Sequence, residues 1–175
     1  MRRVRLNDVR QFERWWQEPE GNYYDMGDRN VSLPSGYGDQ IRRAILTGKT
    51  QTWFTVERPS VGAVGYVLYR NIDPQELSAE IGIRLGQDYW GKGYGTAATF
   101  LLLHHLFVEE GMRRVWLQVA EFNERALRMY RKLAFAEIAT EAEDGLNWIQ
   151  MEIDREGFRK ILEHYRDTYF SSDNS

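Results

Sequence analysis

The chain has 175 residues, 42% of them hydrophobic, and a formal net charge of −3. This length and composition predict one globular domain over residues 1–170, followed by a disordered tail at 171–175. The lack of cysteine excludes disulfide bonds, thiolate metal sites and a cysteine nucleophile. The net negative charge argues against nucleic acid as the main partner and is compatible with a cationic small substrate.

Membrane and metal partners are not expected either. The sequence has no apolar run of about 18 residues, and residues 1–5 lack the apolar stretch of a secretory signal. We therefore expect a cytoplasmic protein. Its histidines, His104, His105 and His164, show no ligand spacing with nearby carboxylates, so no metal site is predicted. The aromatic content of 14% exceeds what the core needs, which predicts that some rings line a cleft.

The first third of the chain begins with a predicted strand at residues 3–7. Asn7 or Asp8 can then cap a helix that runs to about residue 17, and Pro19 ends that helix. Residues 18–36 are polar and contain glycine with little periodicity, which is typical of a loop or a broken helix. Two interpretations stay open for this segment: a solvated connector, or a lid over a bound amine. The lid would use the acidic residues and the rings of the segment, which are Glu18, Glu20, Tyr23, Tyr24, Asp25 and Asp28.

A meander of three strands follows a second predicted helix at 37–46. The strands are expected at 50–57, 63–69 and 77–85, and their connections are too short for crossover helices, so they pair antiparallel. The third strand alternates, with apolar residues on one face and Glu80 on the other. Glu80 is either a solvated carboxylate or, because its strand leads into a glycine-rich turn, a group in a cleft.

The glycine-rich turn lies at residues 89–96 and opens into an apolar helix predicted over 93–109. Unpaired amides and the positive end of the helix dipole meet at such a turn, which favours a phosphate-bearing ligand. The alternative is a tight turn in which glycine only relieves backbone strain. A Walker loop needs Ser or Thr after Lys92, and a dinucleotide fingerprint needs glycine at Thr96, so neither motif fits.

The last third of the chain contains a strand at 114–120 and a helix capped by Asn123. Asn123 and Tyr130 are about two helical turns apart and therefore face the same way. By spacing alone, they are either a cap and a packed ring or two members of a site. A hairpin at 136–142 and 146–153 and a final helix at 155–169 complete the predicted elements.

Two of these stretches resemble motifs of the GCN5-related N-acetyltransferases, the GNAT family. Residues 90–95, Trp-Gly-Lys-Gly-Tyr-Gly, are similar to its (Gln/Arg)-x-x-Gly-x-(Gly/Ala) loop, with Trp90 at the first position as in the branch of ribosomal-protein-alanine and spermidine acetyltransferases. Residues 123–135 resemble its Asn-x-x-Ala-x-x-x-Tyr-x-x-Leu-Gly-Phe signature, with Ala134 in place of glycine. The resemblance runs from about residue 77 to residue 135.

The resemblance implies an α/β fold of the α+β type, with a mixed, mostly antiparallel sheet of six or seven strands flanked by helices. Splayed central strands would form a cleft for acetyl-CoA. The main chain of the third meander strand would bind the pantetheine arm, the glycine-rich loop would bind the pyrophosphate, and the Asn of the second motif would contact the cofactor. The implied cofactor-binding residues are Ile83, Arg84, Leu85, Trp90, Gly91, Lys92, Gly93, Tyr94, Gly95, Thr96 and Asn123.

The candidate catalytic residues are Tyr130, which the resemblance implies, and Glu80, which is a candidate because its strand leads into the glycine-rich turn. Tyr130 would stand beside the cofactor sulfur, and the ordinary tyrosine pKa of about 10 suits protonation of a leaving thiolate. Glu80 would be the general base and would attract the substrate ammonium. A glutamate is a weak base towards an alkylammonium, so a water relay or burial must help it.

The sequence thus predicts transfer of an acetyl group to a primary amine by direct attack in a ternary complex. The acceptor would be a polyamine, another small amine or a protein N-terminus, and the rings and carboxylates near residues 18–28 favour a small polycationic amine. The alternative is a non-catalytic module that senses acyl-CoA. A phosphotransferase is disfavoured, since it needs a magnesium-binding Ser or Thr after Lys92. A homo-oligomer, above all a dimer, is expected at the sheet edge or the last helix.

Overall fold

The structure is a computed structural model that describes residues 1–30, 36–48 and 50–170, with side chains up to residue 165. The tail expected to be disordered, 171–175, lies outside these residues, as does the part of the predicted lid at 31–35. The helices are α1 (Val9–Trp15), α2 (Pro19–Met26), α3 (Tyr37–Thr47), α4 (Tyr94–His104), α5 (Glu124–Lys132) and α6 (Arg155–Phe170). The strands are β1 (Arg2–Arg3), β2 (Gln51–Arg58), β3 (Gly62–Asp73), β4 (Ser78–Leu85), β5 (Arg114–Ala120), β6 (Ala136–Glu143) and β7 (Leu146–Asp154).

All seven strands belong to one sheet in the order β1-β2-β3-β4-β5-β7-β6. Strands β2, β3 and β4 form the predicted antiparallel meander, and β6 and β7 form the predicted hairpin. Only the central pair, β4 with β5, is parallel. The mixed, mostly antiparallel sheet flanked by helices is confirmed.

The central parallel pair is short. Ser78, Ala79 and Glu80 pair with the first three residues of β5, and no pairing follows although both strands continue. From residue 81 onward β4 therefore has a strand partner only on the β3 side. The two halves of the sheet part at this point and leave a wedge-shaped gap, which is the expected splay.

Apolar residues cover both faces of the sheet. Alternate residues of β3 point to opposite faces, so Val67 and Tyr69 join the larger core beneath α4 while Tyr66 and Leu68 join a smaller one. The smaller core is an aromatic cluster made with α1, α3 and β2, and we call it the aromatic wall. Its buried members are Phe12, Trp15, Trp16, Ile41, Trp53, Tyr66 and Leu68.

Three elements differ from their predicted form. The first strand covers only Arg2–Arg3, because a 3-10 turn at Leu6–Asp8 follows it. The sequence predicts that Pro19 ends the first helix, but α1 already ends at Trp15. Pro19 is instead the first residue of α2, where its missing N–H costs nothing. The helix after the glycine-rich turn is regular as far as His104 and continues as a π-turn at His105–Glu109.

Asp8 holds the first turn against β2, and its carboxylate gives a stability prediction. Burial alone would raise the pKa of this carboxyl, but hydrogen bonds from the Arg2 side chain, the Arg5 amide and the Thr55 hydroxyl outweigh burial and lower it to about 2. A carboxyl whose pKa is lower in the folded state stabilises the fold above its ordinary pKa of 3.8, and that contribution disappears as pH falls towards 2.

We expect Asp8→Asn to lower the free energy of unfolding at pH 7 by about 2 kcal/mol. The difference between variant and wild type should shrink between about pH 4 and pH 2 in denaturant titrations. Asp39→Asn is the control, because the side chain of Asp39 is 69% exposed and its ion pair with Arg42 contributes little. A constant difference down to pH 2 would contradict this account.

Candidate active site

The glycine-rich turn needs glycine for its backbone conformation. Gly91 and Gly93 have φ angles of +72° and +82°, a region that other residues rarely adopt. A Cβ atom built at either position would meet nothing within 4 Å, so the turn borders open space. At Gly95, in contrast, a Cβ would lie 3.0 Å from the sulfur of Met129, because α4 and α5 approach closely there.

Unpaired amides gather where this turn enters α4. Gly93 is the residue before the helix, and the first hydrogen bond of the helix runs from the Ala97 amide to the Gly93 carbonyl, at 3.1 Å. The amides of the first three helical residues, 94–96, therefore have no partner within the helix. Such amides attract an anion together with the helix dipole, and we call this place the anion site after the ligand that the sequence predicts for it.

The anion site lies at one end of a cleft of about 840 Å³. One part of the cleft, between the second half of β4, the start of α4 and the helix α5, we call the cofactor half. The other part lies between strands β2–β4 and helices α1–α3, and we call it the acceptor half. Three members of the aromatic wall, Trp16, Trp53 and Tyr66, line the acceptor half.

The cleft brings together most of the predicted site residues. Those that line it are Glu80, Ile83, Arg84, Leu85, Trp90, Gly91, Gly93, Gly95, Thr96, Asn123 and Tyr130. The side chains of two others point elsewhere. The Lys92 ammonium donates a hydrogen bond to the Asp88 carbonyl, at 2.8 Å, and the ring of Tyr94 contacts Tyr89.

Asn123 is both a helix cap and a cleft residue. Its side-chain oxygen accepts a hydrogen bond from the Ala126 amide, at 3.2 Å, which is the predicted capping contact. The residue is 8% exposed and lines the cofactor half. The two interpretations of Asn123 are therefore compatible, since the capped side chain still borders the cleft.

Tyr130 lines the same cleft and is 6% exposed. Its ring packs edge-on against Phe135, with the ring centres 5.5 Å apart. Burial, with a smaller contribution from the charge of Asp25, raises the pKa of the Tyr130 hydroxyl well above its ordinary value. The ordinary pKa assumed from the sequence does not hold, and the phenol keeps its proton throughout the neutral range.

Glu80 is not a solvated carboxylate. The residue is 6% exposed, and its two oxygens accept hydrogen bonds from Arg70 and Asn71, each at 2.6 Å. Each carboxylate oxygen has a second lone pair, so Glu80 can still accept a hydrogen bond from water. The attraction of a substrate ammonium expected of Glu80 is opposed, however, by the guanidinium of Arg70.

The side chain of Arg84 has a structural task that the sequence did not reveal. It is 4% exposed and donates to the Asp25 carboxylate at 2.8 Å, to the Asn22 side-chain oxygen at 3.0 Å and to the Trp15 carbonyl. These contacts fix α2 against β4. The predicted role of Arg84 concerned only its main chain, which lies on the strand that borders the wedge.

Arg125 joins the two halves of the cleft and was missed by sequence reasoning. Its guanidinium lies 3.8 Å from the ring centre of Trp90 and 5.1 Å from that of Tyr24. The Trp90 indole donates to the Leu85 carbonyl at 2.9 Å, so the stack is anchored on β4. The only signal was that Arg125 lies two residues after Asn123, within the second motif.

The side chains of residues 1–30, 36–48 and 50–165 include no group of three or more His, Cys, Asp or Glu that could hold a metal ion. Within the same ranges no helix is long and apolar enough to cross a membrane.

Comparison with known proteins agrees with this geometry. Residues 1–136 match the family model described as acetyltransferase (GNAT) domain. The uncharacterized N-acetyltransferase p20 of Bacillus licheniformis is 24% identical over 137 residues, which cover 77% of each chain. Spermidine N(1)-acetyltransferase of Escherichia coli K12 is 28% identical over 122 residues, which cover 70% of this chain but only 59% of that enzyme.

The fold is shared with solved structures. Spermidine N-acetyltransferase from Vibrio cholerae, crystallised in complex with CoA and spermine, superposes with a TM-score of 0.78 over 90% of this chain and 96% of that one. The sequence identity is 19%, so this similarity concerns the fold alone. Because the family model covers most of the chain, the protein belongs to the GNAT family and is one of its N-acetyltransferases.

Proposed function

We propose that this protein transfers the acetyl group of acetyl-CoA to a primary amine, by direct attack in a ternary complex. The acceptor class includes polyamines, other small amines and protein N-termini. One observation carries the proposal: unpaired amides at the start of α4 and the protonated phenol of Tyr130 border a single cleft, which opens where β4 and β5 part. Membership in the GNAT family supports it.

The residues of the cofactor half fit coenzyme A. The open turn at Gly91 and Gly93 leaves room for a diphosphate beside the amides of α4, and the exposed cations Arg128 and Lys132 line the same half. The wedge-side backbone of residues 81–85, which has no strand partner, suits the amides of a pantetheine arm. Acetyl-CoA, when bound, supplies an acetyl group activated as a thioester.

Three groups of the protein would assist the transfer of the acetyl group. The amine nitrogen forms a bond to the acetyl carbon and the carbon–sulfur bond breaks. In total the ammonium loses two protons, of which one ends on sulfur and the other reaches solvent. Glu80, through a water molecule, is placed to take up a proton before attack, and the Tyr130 hydroxyl donates towards the leaving sulfur. A wedge-side amide of β4 polarises the thioester carbonyl.

Replacement of Glu80 tests its assigned role. We expect Glu80→Gln to lower kcat by about 100-fold, because the amide cannot accept a proton from the water relay. The measurement is thiol release at saturating acetyl-CoA and amine. Glu110→Gln is the control, since Glu110 accepts a hydrogen bond from Tyr69 and does not line the cleft. A variant with unchanged kcat would remove Glu80 from the chemistry.

The enzyme and the sensor module are separated by one experiment. Purified protein is given acetyl-CoA with a panel of amines, and free thiol is followed together with CoA binding by calorimetry. An enzyme releases thiol only when a suitable amine is present. Binding of CoA without amine-dependent release would favour the sensor. The homo-oligomer stays a prediction, and the exposed edge strand β6 supports it.

A further inference from the structure

The carboxylates that suggested a polycationic acceptor are mostly engaged outside the cleft. Glu18 accepts a hydrogen bond from a backbone amide after β4, at 3.1 Å, and Glu20 forms an exposed ion pair with Arg29, at 2.8 Å. Asp28 accepts from a backbone amide two residues further on. Of the four acidic residues at 18–28, only Asp25 lines the cleft.

The two carboxylates of the acceptor half are both neutralised. Asp25 forms an ion pair with Arg84, and Glu80 forms one with Arg70. Arg125, at the border of the two halves, adds a positive charge that has no carboxylate of its own within this group. The acceptor half therefore offers a polyamine no surplus of negative charge.

Hydrogen-bond donors, in contrast, are left over at this site. The indole N–H of Trp53 and the Nε–H of Arg84 are buried and have no hydrogen-bond partner among the described residues. Trp53 is 4% exposed and Arg84 is 5% exposed, and both residues line the cleft. A buried donor without an acceptor costs roughly 1–3 kcal/mol, so a ligand oxygen that reached either N–H after a small shift of its side chain would be stabilised.

The surface around these donors is aromatic. Trp53 and Tyr66 pack with ring centres 4.9 Å apart, and the Trp16 indole donates to the Tyr66 hydroxyl at 2.8 Å. Tyr37 packs edge-on against Trp16, with ring centres 5.1 Å apart, and also lines the cleft. Such a surface favours a flat or apolar group on the acceptor.

On the basis of the proposed acetyl transfer, we infer that the acceptor is an α-amino acid with an aromatic or apolar side chain, and not a polyamine. The carboxylate of the acceptor would meet the free donors and the positive charge of the acceptor half, and its side chain would pack on the aromatic wall. A polyamine would bury a second ammonium beside arginines without a free carboxylate, which is unfavourable.

Three amines test this inference: phenylalanine, 2-phenylethylamine and spermidine. 2-Phenylethylamine has the same ring and amine as phenylalanine and lacks the carboxylate. With saturating acetyl-CoA, we expect kcat/KM from thiol release to be at least tenfold higher for phenylalanine than for 2-phenylethylamine, and at least 100-fold higher than for spermidine. Equal values for the first two amines, or spermidine as the best acceptor, would overturn the inference.

Two variants and one control variant test the physical cause of this preference for an amino acid over a polyamine. Arg70→Gln frees an oxygen of Glu80, and we expect it to raise kcat/KM for spermidine about tenfold, a gain that misfolding cannot produce. Arg159→Gln removes an exposed arginine on α6, which does not line the cleft, and should change nothing. Trp53→Phe removes the indole N–H together with part of the aromatic wall, so kcat/KM should fall several-fold more for phenylalanine than for 2-phenylethylamine.

The inference and the proposed function can fail separately. If CoA binds and only spermidine is acetylated, the acetyltransferase proposal stands and the amino-acid acceptor is wrong. If CoA binds and none of the three amines is acetylated, the inferred acceptor is also wrong, and the wider amine panel decides whether the proposed transfer to a primary amine stands. If CoA does not bind, both proposals fall.

Discussion

Gly93→Val should strongly weaken acetyl-CoA binding while leaving a folded protein. Gly93 has a φ angle of +82°, and a β-branched residue there forces the turn into another conformation. The amides that follow it would then no longer converge on the diphosphate. We expect affinity measured by calorimetry to fall about 100-fold or more, because two lost charge-assisted hydrogen bonds are worth roughly 3 kcal/mol or more.

A second glycine provides a matched control for backbone strain. Gly36 also precedes a helix, has a φ angle of +80° and would place a Cβ in open space, but it does not line the cleft. Gly36→Val should therefore cost similar stability in thermal unfolding and keep its affinity for acetyl-CoA. Equal loss of affinity in both variants would show that strain, and not the position of the amides, explains the result.

Tyr130→Phe should separate catalysis from binding. We expect kcat to fall about 100-fold, since phenylalanine cannot donate a proton towards the leaving sulfur. The affinity for acetyl-CoA should change less than about threefold, because the ring and its contact with Phe135 remain. Stopped-flow thiol release and calorimetry measure the two quantities.

The pH dependence of the wild type gives a further check on Tyr130. Burial raises the pKa of its hydroxyl above the ordinary value of 10, so the donor is present at every pH below that value. No loss of kcat below about pH 10 should therefore arise from Tyr130. Tyr69→Phe is the control for Tyr130→Phe, because Tyr69 is also buried in the larger core but does not line the cleft, and the kcat of this variant should stay unchanged.

Most of the fold could be predicted from the sequence, because its local signals agree with its packing. The meander, the hairpin and the helix caps at Asn123 and Asp154 follow from short connections, alternation and capping residues. The helix at Pro19–Met26 was ambiguous, because its apolar residues show no clear helical stripe and its fixed position comes from the distant Arg84. Such a contact, across 62 residues, leaves no trace in local periodicity.

The candidate site was predicted less completely, and the missing part is its charge balance. Spacing placed Asn123 and Tyr130 on one face, and the cleft contains both. It did not reveal that Glu80 is paired with Arg70 and Asn71, because both partners lie on the neighbouring strand β3. Whether a carboxylate is free or neutralised depends on strand register. A single sequence does not say which residues of two paired strands lie next to each other.

Because the pairing of β4 with β5 is short, backbone hydrogen bonds do not fix the width of the wedge between them. No ladder of backbone hydrogen bonds holds the two half-sheets at a fixed distance beyond Glu80. The helices α4 and α5, which flank the wedge, come close together at Gly95, where an added Cβ would lie 3.0 Å from the sulfur of Met129. A methyl group added at position 95 would push α4 and α5 apart. The width of the wedge therefore depends on side-chain volume between the helices, and it can change without any change in strand pairing.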